Sequence, residues 1–333
     1  MHLEGSLSPD LLFTLAARNS ITLPSSSTDS AFTSPASLLE RYDRFSSLDD
    51  FLQYYFIGMS CLIHEQDFEE LAWAYFTRAK LDGVVHAEVF FDPQAHTGRG
   101  IAYQTVVNGF TRACRKAEQD LGITTELILC VLRHLPVPES ESMYVEAEGD
   151  LQCGKLSGLG MDSSEKGFPP GLFKNIYGKA KEAGIKRTAH AGEEGPVEYI
   201  REALSELGVE RVDHGIRLAE DQGLMREVAD RKILITVCPL SNVRLRCVQS
   251  VQELPIKTFL EHGVQFSINS DDPAYFGGYI LDNYCAVQEA FGLSVKAWEG
   301  IAKAAVNGSW CDDRRKASIL ADVDRVVSQY GKG

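Results

Sequence analysis

The segment Arg187-Thr-Ala-His190-Ala-Gly-Glu193 ends a brief apolar run in a histidine, and a carboxylate follows three residues later, past a glycine that turns strand into loop. A metal-ligating side chain and a proton carrier therefore sit side by side. Three further segments repeat this build: Arg211-Val-Asp213-His214-Gly215, Ile233 to Pro239 with Cys238 near its end, and Phe266-Ser-Ile-Asn-Ser-Asp271-Asp272-Pro273. A hydrolytic zinc site needs about three nitrogen or oxygen ligands from the protein and one open position for water. His190 and Asp271 suit that chemistry. His214 reads as a ligand or as a base that orients water. Asp271 and Asp272 point in different directions, so one can take a metal while its neighbour bonds a substrate, although capping a helix is the plainer role for Asp272. A satisfied core histidine or a capping aspartate explains any one of these residues alone. Burying all of them unpaired at strand ends is costly, and together they favour a site.

These segments must be held by strands. Apolar runs near 84–91, 125–132, 156–161, 187–190, 211–214, 233–238 and 264–270 read as seven strands. Helical patterns over Tyr103–Leu121, 171–183, 196–207, 220–231 and 254–262 separate most of them, and the acidic stretch 138–154 carries no strong pattern. Strands alternating with helices every roughly 20 to 40 residues imply right-handed βαβ units and a parallel sheet. The sequence thus predicts an α/β fold, a (β/α)8 TIM barrel spanning 1–333 as a single domain. In a barrel, function belongs at the C-terminal strand ends, where His190, Glu193, His214, Asp271 and Asp272 all fall. An open doubly wound sheet is the competing fold, but its glycine-rich dinucleotide turn is absent. An eighth strand is missing from the count; it would be the first, ending at His2, because a helix start already stands at Ser8-Pro9.

Ahead of the first strand, residues 24 to 37, rich in Ser, Thr and Pro, read as a surface loop, and Ser47 to Lys80 as two or more amphipathic helices whose aromatics, Phe51 and Tyr55 among them, pack a core. His86-Ala-Glu88 matches half of a cytidine-deaminase signature whose other half, P-C-x-x-C, does not occur, so the pair reads as structural. His64, His96 and His262 receive no role.

The net charge of -14 excludes a nucleic-acid surface, which needs clustered Lys and Arg, and points to a small-molecule partner. No stretch approaches the roughly 20 apolar residues of a membrane span. Eight cysteines without a C-x-x-C pair, in a chain that opens without a signal peptide, read as reduced thiols of the cytosol or nucleus.

Taken in order, His2-Leu-Glu-Gly-Ser6, Thr188-Ala-His190-Ala-Gly-Glu193, Val212-Asp-His214-Gly, Cys238-Pro-Leu-Ser-Asn242 and Ser270-Asp-Asp-Pro273 resemble the adenosine/adenine deaminase family of metal-dependent hydrolases. The flanks Leu159-Gly-Met-Asp162-Ser163-Ser164-Glu165 and Asp272 to Tyr279 look like its adenine deaminase branch of fungi and bacteria. The resemblance implies a barrel that binds one Zn2+ per chain and hydrolyses adenine to hypoxanthine and ammonia in purine salvage. It implies His2, His190 and Asp271 as zinc ligands, Glu193 as proton donor, His214 as the residue that positions the attacking hydroxide, and Asp272, with Asp162, Ser163 and Ser164, as contacts to the base. The family's first strand ends in His-x-His, whereas Met1 holds the middle position here; the expectation is an N-terminally truncated chain that lacks the first histidine and most of that strand. The alternatives are an adenosine or N6-substituted purine deaminase, or a catalytically impaired relative.

Overall fold

In the computed structural model, which describes residues 1–330, seven parallel strands follow one another in sequence order: β1 (His86–Phe91), β2 (Thr124–Leu132), β3 (Gly158–Asp162), β4 (Lys186–Ala191), β5 (Arg211–His214), β6 (Leu234–Val237) and β7 (Phe266–Ile268). Each lies within a few residues of the run that predicts it. A helix or helix pair crosses over between every two neighbours, as parallel pairing requires. The sheet curls into the predicted (β/α)8-type barrel.

The eighth position is filled only at its top. His2 forms an isolated parallel bridge with Phe90; Phe90 donates its N–H to the Met1 carbonyl at 2.9 Å, Leu3 donates to the Phe90 carbonyl at 2.9 Å, and His2 donates to the Asp271 carbonyl at 3.0 Å. Residues 1–3 therefore join the ends of β1 and β7. Below them, the interval between β1 and β7 is a cavity of about 490 Å³ bordered by His86, Glu88, Arg211 and Ser267. The absence of a full first strand among the described residues agrees with the strand count.

Around the barrel, Ser8 caps the helix Pro9–Arg18 by accepting the Leu11 N–H at 3.3 Å. The region read as amphipathic helices resolves into Leu48–Met59 and Glu65–Leu81. Two readings are corrected. Residues 35–37 open a helix, Pro35–Tyr42, so the surface loop is shorter than its composition suggests. The acidic stretch 138–154 is also helical, Val137–Gln152, and buries only Ser140, Met143, Tyr144, Ala147 and Leu151. A stripe that thin, on a helix otherwise exposed and rich in Glu, leaves little periodic signal.

Charged groups fill the lower barrel. Glu88 pairs with Arg211 and also takes the N–H of Trp310, whose ring lies 4.2 Å from the Arg211 guanidinium carbon. His86 Nε2 lies 3.3 Å from Glu88 Oε1, so the pair is structural, as read. Arg211 beside Glu88 holds that carboxyl down at about 2 in spite of its burial.

Candidate active site

Every strand-end residue singled out from the sequence reaches the same end of the barrel. His2 Nε2 and His190 Nε2 face each other at 3.1 Å, and His2 Nε2 lies 3.5 Å from Asp271 Oδ1. These three side chains form one of the groups with donor atoms all within 4.8 Å, which is the layout a single cation needs. His190 Nδ1 donates to the Met161 carbonyl at 3.0 Å, and this fixes the tautomer that leaves Nε2 bare. Asp162 Oδ2 lies 3.3 Å from His2 Nδ1 on the far side of that ring. Burial pushes His190 down to about 4 and His2 well below its ordinary value, so both rings are neutral at neutral pH. The bare His190 Nε2 can accept a hydrogen bond from His2 Nε2 or, together with His2 and Asp271, face a cation. The residues present therefore fit a metal ion.

On the other side of Asp271 stands His214, with Nε2 at 3.6 Å from Asp271 Oδ2 and Nδ1 at 3.5 Å from Glu193 Oε1. Asn242, from the Cys238-to-Asn242 segment, lies 3.3 Å from that same Nδ1. Glu193 is buried beside Asp271 and Glu165, and burial and these neighbouring carboxylates raise its carboxyl well above the ordinary range. Asp272 is raised in the same way by burial and by Asp271, and its Oδ1 finds no hydrogen-bond partner among the described residues. In its protonated form, which burial favours, either acid can donate a hydrogen bond into the site.

A cavity of about 30 Å³, far smaller than the one between β1 and β7, opens over these groups. Its floor is His2, His190, Glu193, His214, Asp271 and Asp272. Leu48, Phe51, Leu52 and Tyr55 of the helix Leu48–Met59 roof it. Asp162 and Ser163 also line it, but Asp162 turns one oxygen to His2, and Ser163 Oγ is hydrogen-bonded to His134 Nδ1 at 2.7 Å. Ser164 is buried without reaching the cavity: Ser163 has a left-handed backbone, φ 74°, which sends its successor elsewhere.

Several groups at the site lie outside the sequence reading. Asp92, at the end of β1, lines the cavity, accepts the Tyr55 hydroxyl at 3.1 Å, and lies with His2 and Asp162 in a second cluster of metal-ligand type. A strand-end aspartate followed by proline, the pattern of Asp272-Pro273, is the signal that could have found it. Fully buried His96, given no role above, holds Glu4 at 3.1 Å behind that cluster. Phe51 and Tyr55 do pack, as expected, and also face the cavity. In sequence, a stripe that covers a core and a stripe that covers a pocket are identical.

The adenosine deaminase family model matches residues 1–326 of the chain. The chain is 55% identical to an adenine deaminase of Schizosaccharomyces pombe, covering 99% of this chain and 90% of that one, and 57% identical to an adenine deaminase of Aspergillus fumigatus, covering 99% and 94%. Among solved structures, it superposes on adenine deaminase from Arthrobacter aurescens with a TM-score of 0.93 at 42% identity, over 98% of this chain and 97% of that one.

Proposed function

This chain belongs to the adenosine deaminase family, and on that premise we infer that it is an aminohydrolase that converts adenine and water to hypoxanthine and ammonia. The observation that carries the reading is the layout of one cavity, in which two buried acids, Glu193 and Asp272, flank His214 and the cluster of His2, His190 and Asp271. The ring nitrogens of adenine are acceptors along both edges next to C6, N1 on one and N7 on the other. Glu193 and Asp272 are buried carboxyl groups beside His214 and Asp271, and burial favours the protonated form that can donate to these nitrogens. Glu193 meets N1, and Asp272 meets N7. The acidic surroundings repel anionic substrates and accept a neutral base.

Two imidazole nitrogens and one carboxylate oxygen are a donor set suited to zinc, and we assign one Zn2+ per chain to His2, His190 and Asp271. When bound, the ion supplies Lewis acidity sufficient to lower the pKa of water from 15.7 towards about 7. The protein's groups do the rest. His214 holds the attacking water and takes one of its protons as oxygen adds to C6, while Glu193 gives its proton to N1 and makes C6 electrophilic. In the tetrahedral adduct the C6–N bond then breaks. Of the two protons the water brought, one completes the departing ammonia and the other restores Glu193; the proton first held by Glu193 stays on N1 of hypoxanthine. Asp272 keeps the ring in plane, with Asp162 and Ser163 at the far wall and Ser164 supporting the turn that carries them.

Phe51, Leu52 and Tyr55 line the cavity with bulky side chains, which supports the free base over a nucleoside as substrate. Ammonia release from adenine should exceed that from adenosine at matched concentration by more than about tenfold, since rejecting a whole ribose exceeds the roughly 1–3 kcal/mol of one methylene. Equal turnover of the two would shift the assignment to a nucleoside deaminase. No helix among the described residues is long and apolar enough to cross a membrane, and the eight cysteines are free. On that ground we place purine salvage by this chain in a reducing compartment, the cytosol or the nucleus.

A further inference from the structure

Glu165 lies at the end of the segment after β3, is completely buried, and has no part in the chemistry above. Its Oε2 accepts three consecutive backbone N–H groups, those of Glu193, Glu194 and Gly195, at 3.0, 2.8 and 2.5 Å. Convergence of successive amides on one anion is the geometry of a backbone nest. Here the anion is a side chain of the protein itself, and the nest is the loop that carries the proton donor. Its other oxygen, Oε1, lies 3.6 Å from Nη1 of Arg133. Arg133 is also fully buried: Nη1 donates to the His190 carbonyl at 2.7 Å, and Nε and Nη2 donate to the Phe168 carbonyl at 2.9 and 2.6 Å.

The side chain of Glu193, by contrast, is loosely held. Its neighbours are His214 at 3.5 Å and the Cys247 thiol at 3.9 Å, a long contact. The direction of its carboxyl is therefore set through its backbone, and its backbone is set by Glu165. The glycines on either side fit this arrangement. Gly192 has φ 73°, and a Cβ at Gly195 would crowd Tyr199 and come within 3.0 Å of Glu165 Oε2.

We propose that Glu165 is a positioning residue: its buried carboxylate gathers the 193–195 amides and so aims the Glu193 carboxyl, while Arg133 ties that same carboxylate to the strand end bearing His190. Donor and metal ligand are thereby kept in register across the pocket. A buried ion pair is weak grounds for stability, because well-packed apolar residues often do as well. Three amides converging on one oxygen call for a strong acceptor, and a carboxylate oxygen is one. The inference rests on the reading of Glu193 as the proton donor.

The test is a double-mutant cycle on the metal-loaded enzyme with Glu165→Gln and Glu193→Gln. Glu165→Gln sets an amide N–H2 against amide donors on one side or Arg133 on the other, which loosens the nest without emptying it. The expected result is metal content equal to wild type, KM for adenine within about threefold, and kcat lower by on the order of 10²-fold, the usual consequence of a 1 Å misplacement. The double variant should be no slower than Glu193→Gln alone, since the effect of Glu165 passes through Glu193. Gly195→Ala, which displaces the third amide without a change of charge, should show the same split of kcat from KM and serves if Glu165→Gln does not fold. Three results would overturn the proposal: kcat within threefold of wild type for Glu165→Gln or Gly195→Ala beside an impaired Glu193→Gln; losses that multiply in the double variant, which would mark a purely structural role; or a fully active Glu193→Gln, which would remove the premise and is recognised by that single variant.

Discussion

A histidine binds a metal only when it is neutral and has the correct nitrogen bare, and at His190 both conditions are met by the protein. Burial keeps the ring neutral, and the Met161 carbonyl takes the Nδ1 proton. Asp213, 3.8 Å from that nitrogen, is itself held by the Thr188 and Thr236 hydroxyls at 2.5 and 2.8 Å, and these bonds with the Arg211 charge keep its carboxyl low in spite of burial. His190→Ala and Asp271→Ala should therefore lose metal, measured as ions per chain after desalting. Glu193→Gln should keep it and lose kcat by on the order of 10²–10⁴, the span of general acid catalysis. Metal lost from Glu193→Gln with turnover preserved would reverse the two roles. His190, Glu193, His214, Asp271 and Asp272 are legible in the sequence because each ends an apolar run. Tyr55, Phe51 and His96 are not, since their neighbours in space lie far away along the chain.

The strand ends owe their aim to backbone conformations that sequence patterns do not display. His214 at φ 60°, Asp271 at φ 55° and Ser163 at φ 74° are non-glycine residues in the left-handed region, which costs on the order of 1–3 kcal/mol each and persists where surrounding contacts impose it. Asp271 is fixed by the His2 N–H on its carbonyl. The short turn Glu4–Ser6 does the same for Asp272 by shape: a Cβ on Gly5 would overlap the Asp272 carboxyl and Cα. Gly5→Ala should push Asp272 off the base and lower kcat/KM for adenine by at least about tenfold with metal still bound, as expected when a contact group moves by about an ångström. Unchanged kcat/KM would mean that Asp272 does not touch the substrate. At this scale the strands are nearly all legible, because β-branched and apolar runs buried on both faces leave a continuous signal. The helix Val137–Gln152 is not, for its buried stripe is too thin among its glutamates.

Across the whole molecule, ionisable groups are concentrated in the barrel and its mouth, and burial moves them in opposite directions. His2, His96 and His190 are lowered, the latter two to about 3 and about 4. Glu4 is raised from 4.5 to about 7 by burial, and Asp92, Asp162, Glu193 and Asp272 are raised by burial together with one another's charge. The lowered histidines contribute stability that is present above about pH 6.5, their unfolded value, and is lost as pH falls towards 4 and 3. The raised carboxyls contribute stability that is present below their unfolded values near 4 and is lost as pH rises through 7. Between pH 6.5 and 8.5 each unfolded histidine loses the half proton it still holds at 6.5, a rise in stability of only about 0.4 kcal/mol apiece, which the more numerous carboxyls outweigh, so the Tm of metal-free protein should fall as pH rises across that window. For Glu4 alone, the rise from 4.5 to about 7 corresponds to on the order of 3 kcal/mol. Glu4→Gln keeps the acceptor used by the Asp92 N–H at 3.0 Å and by His96 at 3.1 Å and removes the charge that must otherwise be buried. The variant should therefore melt higher than wild type at pH 8 and show a shallower slope of Tm against pH. A metal-free Tm that climbs from pH 6.5 to 8.5, or a Glu4→Gln slope as steep as that of wild type, would mean that these acids are already ionised in the folded protein, and the donor form assigned to Glu193 and Asp272 would lose its physical basis.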